Sequence, residues 1–222
     1  MENSSWRSML TPFALTACLV MPFSAHAEDE GMIEEVVVTG SYIGRAVEEQ
    51  SNPVDVYDRA EWEEQGSPQM VEIIRNTPAM SGTLNQSEQY AGSGVATGLK
   101  NINIRGLGAE RSLVLMNGKR MTVTGASVGK GGQYVVDIGA FPTIAMERVE
   151  LLKNGGSVNY GTDAMAGVWN FISRSEFEGL EIATNSAFIN KSEGGDQNLG
   201  VIWGTASDSA NLVVSFEYEN RD

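Results

Sequence analysis

Acidic side chains are the residues of this sequence that could carry out chemistry. The only cysteine, Cys18, and the only histidine, His26, lie among the first 27 residues, which have the pattern of a removable leader. The rest of the chain lacks the thiol and the imidazole that Cys-His and Ser-His-Asp catalysis require, and that zinc sites commonly use as ligands. A carboxylate enzyme stays open as an alternative, and it would need two acids that converge in one pocket.

Two glycine-rich strings are similar to nucleotide-binding loops, but both are incomplete. Gly106-x-Gly108 lacks the third glycine, and no strand-helix-strand unit is predicted around it. Gly156 and Gly161 have the spacing of a phosphate loop, yet Thr162 occupies the position of the essential lysine. The formal net charge is −14, whereas nucleic-acid binding depends on basic clusters. We therefore predict no cofactor, no metal site and no nucleic-acid partner.

The first 27 residues have the features of a secretory signal peptide. Arg7 precedes an apolar run from Met9 to Phe23, and Ala25-His26-Ala27 offers a cleavage site after Ala27. The run is too short and too interrupted by proline for a typical membrane-spanning helix. A lipoprotein cleavage box at Leu15–Cys18 is a weaker alternative, because cutting there would leave an apolar terminus. The pattern predicts export, with residues 1–27 removed.

An acidic arm follows the leader. Residues 28–52 show no helical periodicity and carry an excess of acids, which is typical of an extended, solvated segment. Within it, Glu34–Ser41 reads EEVVVTGS. That string has strand propensity, yet no partner strand is obvious nearby, so we expect an unpaired strand.

Residues 53–175 alternate short periodic segments with glycine-rich loops. Asn117-Gly118 lies between two strand-like runs and favours a two-residue type I′ hairpin. Ser67-Pro68 is expected to open a helix as its N-cap and first helical residue. The predicted elements, in order, are strand 53–57, helix 59–65, helix 67–77, loop 81–98, strand 101–106, hairpin 113–123, a short helix from Pro142, and strands 149–152 and 167–173.

The last 46 residues change character. Apolar and polar residues alternate in GLEIATNSAFIN, NLGVIWGTAS and ANLVVSFEYENR, with Leu212, Val214, Phe216 and Tyr218 on one parity of the last segment. Strands of about 10 residues with this alternation are a weak signature of an outer-membrane barrel. A soluble antiparallel sheet with one wet face is the alternative.

Three stretches in order resemble one family, the TonB-dependent outer-membrane receptors. EEVVVTGS resembles the TonB box, while NINIRGLGAERSLVLMNGKRM and IAMERVELLKNGGSVNYGTDAMAGVWNF resemble the plug domain. The resemblance covers about Glu34 to Arg174, with Gly155-Gly156 and Trp169 as departures from the usual pattern. The matching residues of the last stretch are Glu147, Arg148, Val149, Glu150, Tyr160, Gly161, Asp163, Ala164, Ala166, Gly167, Val168 and Asn170.

The resemblance assigns site residues to this chain. It implies a TonB box of Glu35, Val36, Val37, Val38 and Thr39. It implies plug-motif residues at Arg105, Gly106, Asn117, Gly118, Arg148, Glu150, Tyr160, Gly161, Asp163, Ala164, Gly167 and Asn170. Arg105, Arg148 and Glu150 alternate with apolar residues on predicted strands, so their charges either face the polar lumen of a barrel or are ordinary surface charges, and the sequence does not separate the two.

The fold class implied is α+β: a small plug domain with a mixed sheet, short helices and glycine-rich loops, followed by the first antiparallel strands of an incomplete outer-membrane β-barrel. The expected boundaries are a signal peptide at 1–27, a flexible arm with the TonB box at 28–52, the plug at 53–175 and the start of the barrel at 176–222. Since a 22-stranded barrel needs far more residues, we expect an amino-terminal fragment of a longer receptor.

The family implies energised import of a scarce nutrient across the Gram-negative outer membrane, with the plug facing the periplasm. The implied partners are TonB with its inner-membrane energy-coupling complex, outer-membrane lipid around the barrel, and a small-molecule or oligosaccharide ligand of the siderophore, cobalamin, haem or glycan class. TonB would add its own strand to the TonB box by β-augmentation, without catalysis. A free periplasmic plug-like binding module and a periplasmic carboxylate enzyme are the alternatives.

Overall fold

The computed structural model describes residues 36–37, 39, 45–46, 54–64, 66, 69–80, 83, 99–125, 127–128, 133–188, 195–207 and 210–221. All of them belong to one compact unit, Glu34–Asp222. The predicted signal peptide of residues 1–27 lies outside the described residues, as does the predicted loop 81–98 apart from Thr83.

Strands dominate the described part of the chain, and the helices are short. The strands are β1 (Val36–Val37), β2 (Arg45–Ala46), β3 (Val54–Asp58), β4 (Ser112–Met116), β5 (Lys119–Arg120), β6 (Ser127–Val128), β7 (Gln133–Tyr134), β8 (Met146–Leu152), β9 (Gly167–Ser173), β10 (Gly179–Phe188), β11 (Gly195–Ser207) and β12 (Ala210–Arg221). The α-helices are α1 (Arg59–Glu64), α2 (Met70–Arg75) and α3 (Ser157–Tyr160). Single 3₁₀ turns lie at Pro78–Met80, Ile104–Gly106, Ala109–Arg111, Ile138–Ala140, Thr143–Ala145 and Thr162–Ala164.

Five strands form one mixed sheet in the order β3-β8-β9-β4-β5. The β4–β9 pair is parallel, and the other three pairs are antiparallel. The Asn117-Gly118 turn joins β4 to β5 as the sequence predicts, since both residues have positive φ angles, 50° and 73°. We call this five-stranded unit the mixed sheet.

The mixed sheet buries both of its faces, because short helices and turns cover one face and a smaller apolar cluster lies on the other. The larger core includes Val149, Leu151 and Trp169 with α2 and the turn at Ile138. The smaller cluster contains Val54, Leu113, Leu115, Leu152, Ala164 and Val168. Side chains alternate between the faces along each strand, so Glu150 and Asn170 fall on the face of the smaller cluster.

A row of aromatic rings stiffens the larger core. Trp169 stacks between Tyr57 and Phe171, with ring centroids 5.9 Å and 6.3 Å away, and Phe141 meets Phe171 edge-on at 5.0 Å. Such pairs contribute about 0.5–1.5 kcal/mol each beyond the burial of their area. Trp169 is fully buried as the centre of this row.

The phenol of Tyr57 predicts a loss of stability at alkaline pH. Burial raises the pKa of Tyr57, and the nearby Asp55 carboxylate, which accepts a hydrogen bond from the Tyr57 hydroxyl at 3.3 Å, raises it further. The unfolded chain therefore releases this proton at a lower pH than the folded chain. The protonated phenol therefore contributes its full stabilisation of the folded state below a pH of about 10. This stabilisation is lost as the pH rises through the pKa of Tyr57 in the folded chain. Denaturant unfolding at rising alkaline pH should show a steeper loss for the wild type than for Tyr57→Phe, and equal slopes would contradict this account.

Two local predictions are wrong. NINIRG does not form a strand: residues 99–103 are irregular and Ile104–Gly106 is a 3₁₀ turn, because Arg105 has a φ angle of 55° that no strand accommodates. The second helix begins at Met70 with Gln69 as its N-cap, in place of the predicted Ser67, and Gln69 makes no side-chain capping bond. The apolar stripe of Met70, Val71 and Ile74 is buried as expected.

Three long antiparallel strands follow the mixed sheet, in the order β10-β11-β12, and we call them the strand wall. Their predicted alternation is confirmed. One face bears exposed apolar side chains: Leu180, Ile182, Leu199, Trp203, Leu212, Val214, Phe216 and Tyr218. The other face carries Glu181, Gly200, Ile202 and Glu217, and Ile202 is completely buried.

No helix in the described part of the chain combines the length and the apolar character needed to cross a membrane.

Candidate functional site

A buried hydrogen-bond network joins the arm to the centre of the mixed sheet. The Thr39 hydroxyl donates to Oε2 of Glu150, a carboxylate with 0% exposure. Asn170 Nδ2 donates to Thr39 Oγ1 at 2.9 Å and to Glu150 Oε2 at 3.2 Å. Arg148 Nε donates to Glu150 Oε1 at 3.2 Å. Each carboxylate oxygen therefore has a donor, which a buried charge requires.

Sheet register brings the members of this network together. Glu150 on β8 lies directly opposite Asn170 on β9, so both side chains point to one face. Asn170 Oδ1 also accepts the Gly118 N–H at 2.9 Å, which ties the β4–β5 turn to the same group. Across the same turn, Asn117 Nδ2 donates to Ser173 Oγ at 2.8 Å, and the Ser173 N–H donates to Asn117 Oδ1 at 2.9 Å.

Two expectations about this region are wrong. Val36–Val37 is not unpaired, because it forms an antiparallel pair with Arg45–Ala46, and Thr39 is 1% exposed instead of solvated. The Glu150 carboxylate does not lie in a wet environment, because it is 0% exposed within the mixed sheet, where it accepts a hydrogen bond from Arg148 Nε. Glu35 and Val38, also assigned to the TonB box, lie outside the described residues.

A second cluster of motif residues surrounds the turn after α3. The Arg120 guanidinium donates to the Asp163 carboxylate and to the carbonyl oxygen of Tyr160, and its Nη2 lies 3.2 Å from Asp163 Oδ1. The hydrogen bond that Arg120 donates to the Asp163 carboxylate raises the pKa of Arg120. Gly161 takes a φ angle of 92° between α3 and the next turn, which a residue with a Cβ rarely adopts. This exposed cluster binds β5 to the segment between β8 and β9.

Gly167 and Ala164 lie where the surrounding structure leaves no room for a larger side chain. Gly167 has a φ angle of 149°, and a Cβ there would lie 2.5 Å from the Leu152 carbonyl oxygen and 2.8 Å from Ile104 Cδ1. Ala164 is 0% exposed within the smaller cluster. These two motif residues therefore serve close packing, with no polar group to offer a ligand.

Arg105 and Gly106 are separate from both clusters. Both have positive φ angles, 55° and 70°, in the exposed turn that precedes β4. Positive φ is uncommon for a residue other than glycine and often marks a functional position. Among the described residues Arg105 has no ion-pair partner.

The inner face of the strand wall binds segments that flank the mixed sheet through ion pairs. Glu181 on β10 binds two arginines, Arg59 Nη2 at 2.8 Å and Arg174 Nη1 at 2.8 Å. Arg174 also lies 4.1 Å from the ring centroid of Phe177, within cation–π range. These contacts join α1 and the end of β9 to the first strand of the wall.

The turn Thr143–Ala145 fits into the strand wall beside these ion pairs. Ile144 is buried against Gly200, where a Cβ would lie 3.2 Å from Ile144 Cβ. The Ile144 N–H donates to Glu217 Oε2 at 3.3 Å, and its carbonyl oxygen accepts from Arg59 Nη1 at 3.0 Å. Both backbone groups of a buried residue are thereby satisfied.

Lys100 supplies the most buried cation of this interface. Its Nζ lies 2.9 Å and 2.6 Å from the two carboxylate oxygens of Glu219 on β12. The side chain of Lys100 is 7% exposed and that of Glu219 is 23% exposed. A charge-assisted contact to both oxygens at this burial is stronger than a surface ion pair.

A cavity of about 210 Å³ remains between α1, the Thr143–Ala145 turn and the strand wall. Its lining combines the polar side chains of Arg59, Glu63, Asn198 and Glu217 with apolar surface that includes Trp62 and Ile144. Within the described ranges, no group of three or more His, Cys, Asp or Glu side chains is arranged to hold a metal ion.

Sequence analysis did not single out the residues of this interface as a site. Glu181, Glu217 and Glu219 lie on the polar parity of alternating strands, which was a usable signal for an inward-facing acidic surface. Lys100, Arg59 and Ile144 gave no such signal, because irregular segments and short helices position them.

Comparisons with known proteins agree with this architecture. The model of the family "TonB-dependent Receptor Plug Domain" matches residues 46–168, more than half of the chain. The chain is 26% identical over 219 residues to the iron-regulated outer membrane virulence protein of Vibrio cholerae, and the match covers 96% of this chain and 32% of that protein. The chain thus spans about a third of this relative.

Solved structures show the same fold. A variant of the ferric enterobactin receptor PfeA of Pseudomonas aeruginosa, in complex with enterobactin, superposes with a TM-score of 0.60 at 23% identity, covering 78% of this chain and 25% of the receptor. The siderophore receptor PirA of Acinetobacter baumannii gives a TM-score of 0.55 at 22% identity, covering 76% and 24%.

These similar proteins are receptors, not enzymes, so the carboxylate-enzyme alternative has no support from them. The mixed sheet with short helices, followed by antiparallel strands, is the expected architecture of a plug with part of a barrel. The chain belongs to the family of TonB-dependent receptor plug domains.

Proposed function

We propose that this chain provides the plug and the first barrel strands of an outer-membrane receptor that imports an iron chelate with energy supplied through TonB. The two-faced strand wall is the observation that carries the proposal. Its outer face exposes apolar side chains, with Leu180 at 63% and Phe216 at 61% exposure. Its inner face binds Arg59 of α1 through Glu181 and Lys100 through Glu219. Lipid outside and a bound domain inside is the arrangement expected of a plugged barrel.

The proposed location follows from the same two faces. We expect the protein in the outer-membrane fraction, with the signal peptide of residues 1–27 removed and the plug of residues 53–175 open to the periplasm. Membrane fractionation with an antibody against the plug tests this. Recovery in the soluble periplasmic fraction would instead support a free plug-like binding module.

The proposed ligand class, a ferric siderophore, rests on the named similar proteins. One is iron-regulated, one is a ferric enterobactin receptor solved in complex with enterobactin, and one is a siderophore receptor. Deletion of the gene is expected to reduce uptake of a radioactive ferric siderophore during iron starvation, and loss of TonB should reduce it equally. Normal siderophore uptake together with impaired uptake of cobalamin, haem or a glycan would move the receptor to that other ligand class.

The proposed TonB box gives a direct test of the partner. A peptide of residues 34–41 is expected to bind the carboxy-terminal domain of TonB by strand addition through its main-chain groups. Val37→Pro removes one backbone donor, so the variant peptide should bind at least about tenfold more weakly, the effect of about 1.4 kcal/mol. Isothermal titration of both peptides measures the ratio. Equal affinities would remove the TonB-box assignment.

A further inference from the structure

Two Asn-Gly pairs occur in this sequence, Asn117-Gly118 and Asn154-Gly155, and all four residues are exposed to solvent. Asparagine is a thermolabile residue. When glycine follows it, the next backbone nitrogen has no side chain beside it, and this nitrogen can attack the side-chain carbonyl carbon to close a five-membered ring. Because the two pairs share residue types and exposure, their hydrogen bonds decide which of them reacts.

Hydrogen bonds hold both reacting groups of the first pair. The nucleophile, Gly118 N–H, donates to Asn170 Oδ1 at 2.9 Å. Asn117 Nδ2 donates to Ser173 Oγ at 2.8 Å, and Asn117 Oδ1 accepts the Ser173 N–H at 2.9 Å. Attack requires the Asn117 side chain to rotate away from Ser173 and the Gly118 nitrogen to leave Asn170. Three hydrogen bonds therefore oppose the reaction at Asn117.

The second pair lies in the bend between β8 and α3, without these restraints. Among the residues that the structure describes, neither the Asn154 side chain nor the Gly155 N–H has a hydrogen-bond partner. A Cβ at Gly155 would lie 2.8 Å from the Met165 carbonyl oxygen, so a larger residue does not fit there without movement of the backbone. The packing that requires glycine at this position thereby leaves its nitrogen without a shielding side chain beside Asn154.

We propose that Asn154 is a self-modification site, at which the chain deamidates to aspartate or isoaspartate while Asn117 stays protected. The Gly155 nitrogen loses its proton to hydroxide and bonds to Asn154 Cγ. The Cγ–Nδ2 bond then breaks, and the departing amide group takes up a proton and leaves as ammonia. Water opens the ring at one carbonyl to give aspartate or at the other to give isoaspartate. The net reaction consumes water and releases ammonia, so it needs no enzyme and does not depend on the proposed function.

The two products differ in their effect on the turn that leads to α3. Isoaspartate routes the backbone through the side-chain carbon and so lengthens it between Asn154 and Gly155. This change lies directly before the Gly156 N–H, which donates to the Ala164 carbonyl oxygen at 2.8 Å. The isoaspartate form is therefore expected to lose that hydrogen bond, whereas the aspartate form keeps the backbone and adds only a negative charge.

Peptide mapping by mass spectrometry of the purified full chain, incubated at mildly alkaline pH, measures deamidation at both sites in one sample. Asn154 is expected to react about a hundredfold faster than Asn117, because three hydrogen bonds of ordinary strength each slow the reaction about fivefold. Ser173→Ala removes one of these bonds, so it should raise the rate at Asn117 about fivefold and leave the rate at Asn154 unchanged. In guanidinium chloride, where no fold remains, the two rates should become similar.

Equal rates at the two sites in the folded chain, or a faster rate at Asn117, would overturn the proposal. A difference that persists in guanidinium chloride would also overturn it, because local sequence and not hydrogen bonding would then set the rates.

Hydrogen exchange tests the structural consequence. The isoaspartate form, separated by chromatography, should exchange at Gly156 at least about fivefold faster than Asn154→Asp, which carries the same charge on an unaltered backbone. Equal exchange at Gly156 in the two forms would refute the expected loss of the hydrogen bond to Ala164.

Discussion

Gly167→Ala is expected to lower the free energy of unfolding by about 3–5 kcal/mol, since it combines overpacking with backbone strain. The new Cβ would lie 2.5 Å from the Leu152 carbonyl oxygen, and a backbone atom at the centre of the mixed sheet cannot move aside as a flexible side chain can. Gly167 also begins β9, which pairs with β4 and β8. Denaturant unfolding followed by tryptophan fluorescence measures the change.

Two other glycines provide matched controls for Gly167→Ala. Gly66 has a positive φ angle of 64° but no atom within 4 Å of a new Cβ, so Gly66→Ala reports the strain alone, about 1–2 kcal/mol. At Gly125 a new Cβ would have no atom within 4 Å, and the backbone is outside the left-handed region. The free energy of unfolding of Gly125→Ala should therefore be within about 1 kcal/mol of the wild-type value. Equal destabilisation by Gly66→Ala and Gly167→Ala would mean that the contact with Leu152 has no energetic effect.

Lys100→Met is expected to weaken the attachment of the plug to the strand wall by about 2–3 kcal/mol. The change keeps the apolar stem of the side chain and removes the ammonium, which leaves Glu219 partly buried without its cation. The expected destabilisation is smaller than that for a fully buried ion pair because Glu219 retains contact with water. In the proposed receptor, a loosened plug should also let larger antibiotics pass, so vancomycin sensitivity gives a cellular measurement.

A double-mutant cycle distinguishes the ion pair from other effects of Lys100→Met. Glu219→Gln alone should destabilise the protein by about 3–4 kcal/mol, because it leaves the more buried partner unpaired, whereas the double mutant Lys100→Met with Glu219→Gln should recover much of the loss. The exposed Glu110–Arg111 pair, 3.9 Å apart, serves as the comparison and should show a coupling energy near zero. A Lys100–Glu219 coupling energy as small as that of the surface pair would contradict the assigned role.

Sequence analysis predicted the elements whose local pattern and final environment agree. The Asn117-Gly118 turn needs positive φ at both residues, and its chemistry alone specifies that geometry. Apolar and polar residues alternate along β12 because the strand wall has one apolar and one polar face. Leu212, Val214, Phe216 and Tyr218 therefore lie together on the exposed apolar face. The helix over Met70 to Ile74 has its apolar stripe against the core.

The wrong predictions have a shared cause, which is that long-range contacts override local pattern. Ile102 and Ile104 alternate as a strand would, yet both are buried in an irregular segment because Arg105 turns the backbone. Thr39 follows an acidic, strand-prone string that reads as solvated, but its acceptor Glu150 lies more than a hundred residues away along the chain. Lys100 and Glu219 are separated by a similar span. No window of local sequence contains such pairs.

The strand order of the mixed sheet has a consequence for the timing of folding. Among the described strands, edge strand β3 pairs with β8 alone, and Leu152, the partner of Val54, follows it after 98 residues. At about 5–20 residues per second of synthesis, β3 waits roughly 5–20 s for its neighbour. Non-local pairing of this kind is also slow once the partner exists. In the proposed exported receptor, most of the chain is synthesised before this sheet can close, which suits passage through the export channel in an unfolded state.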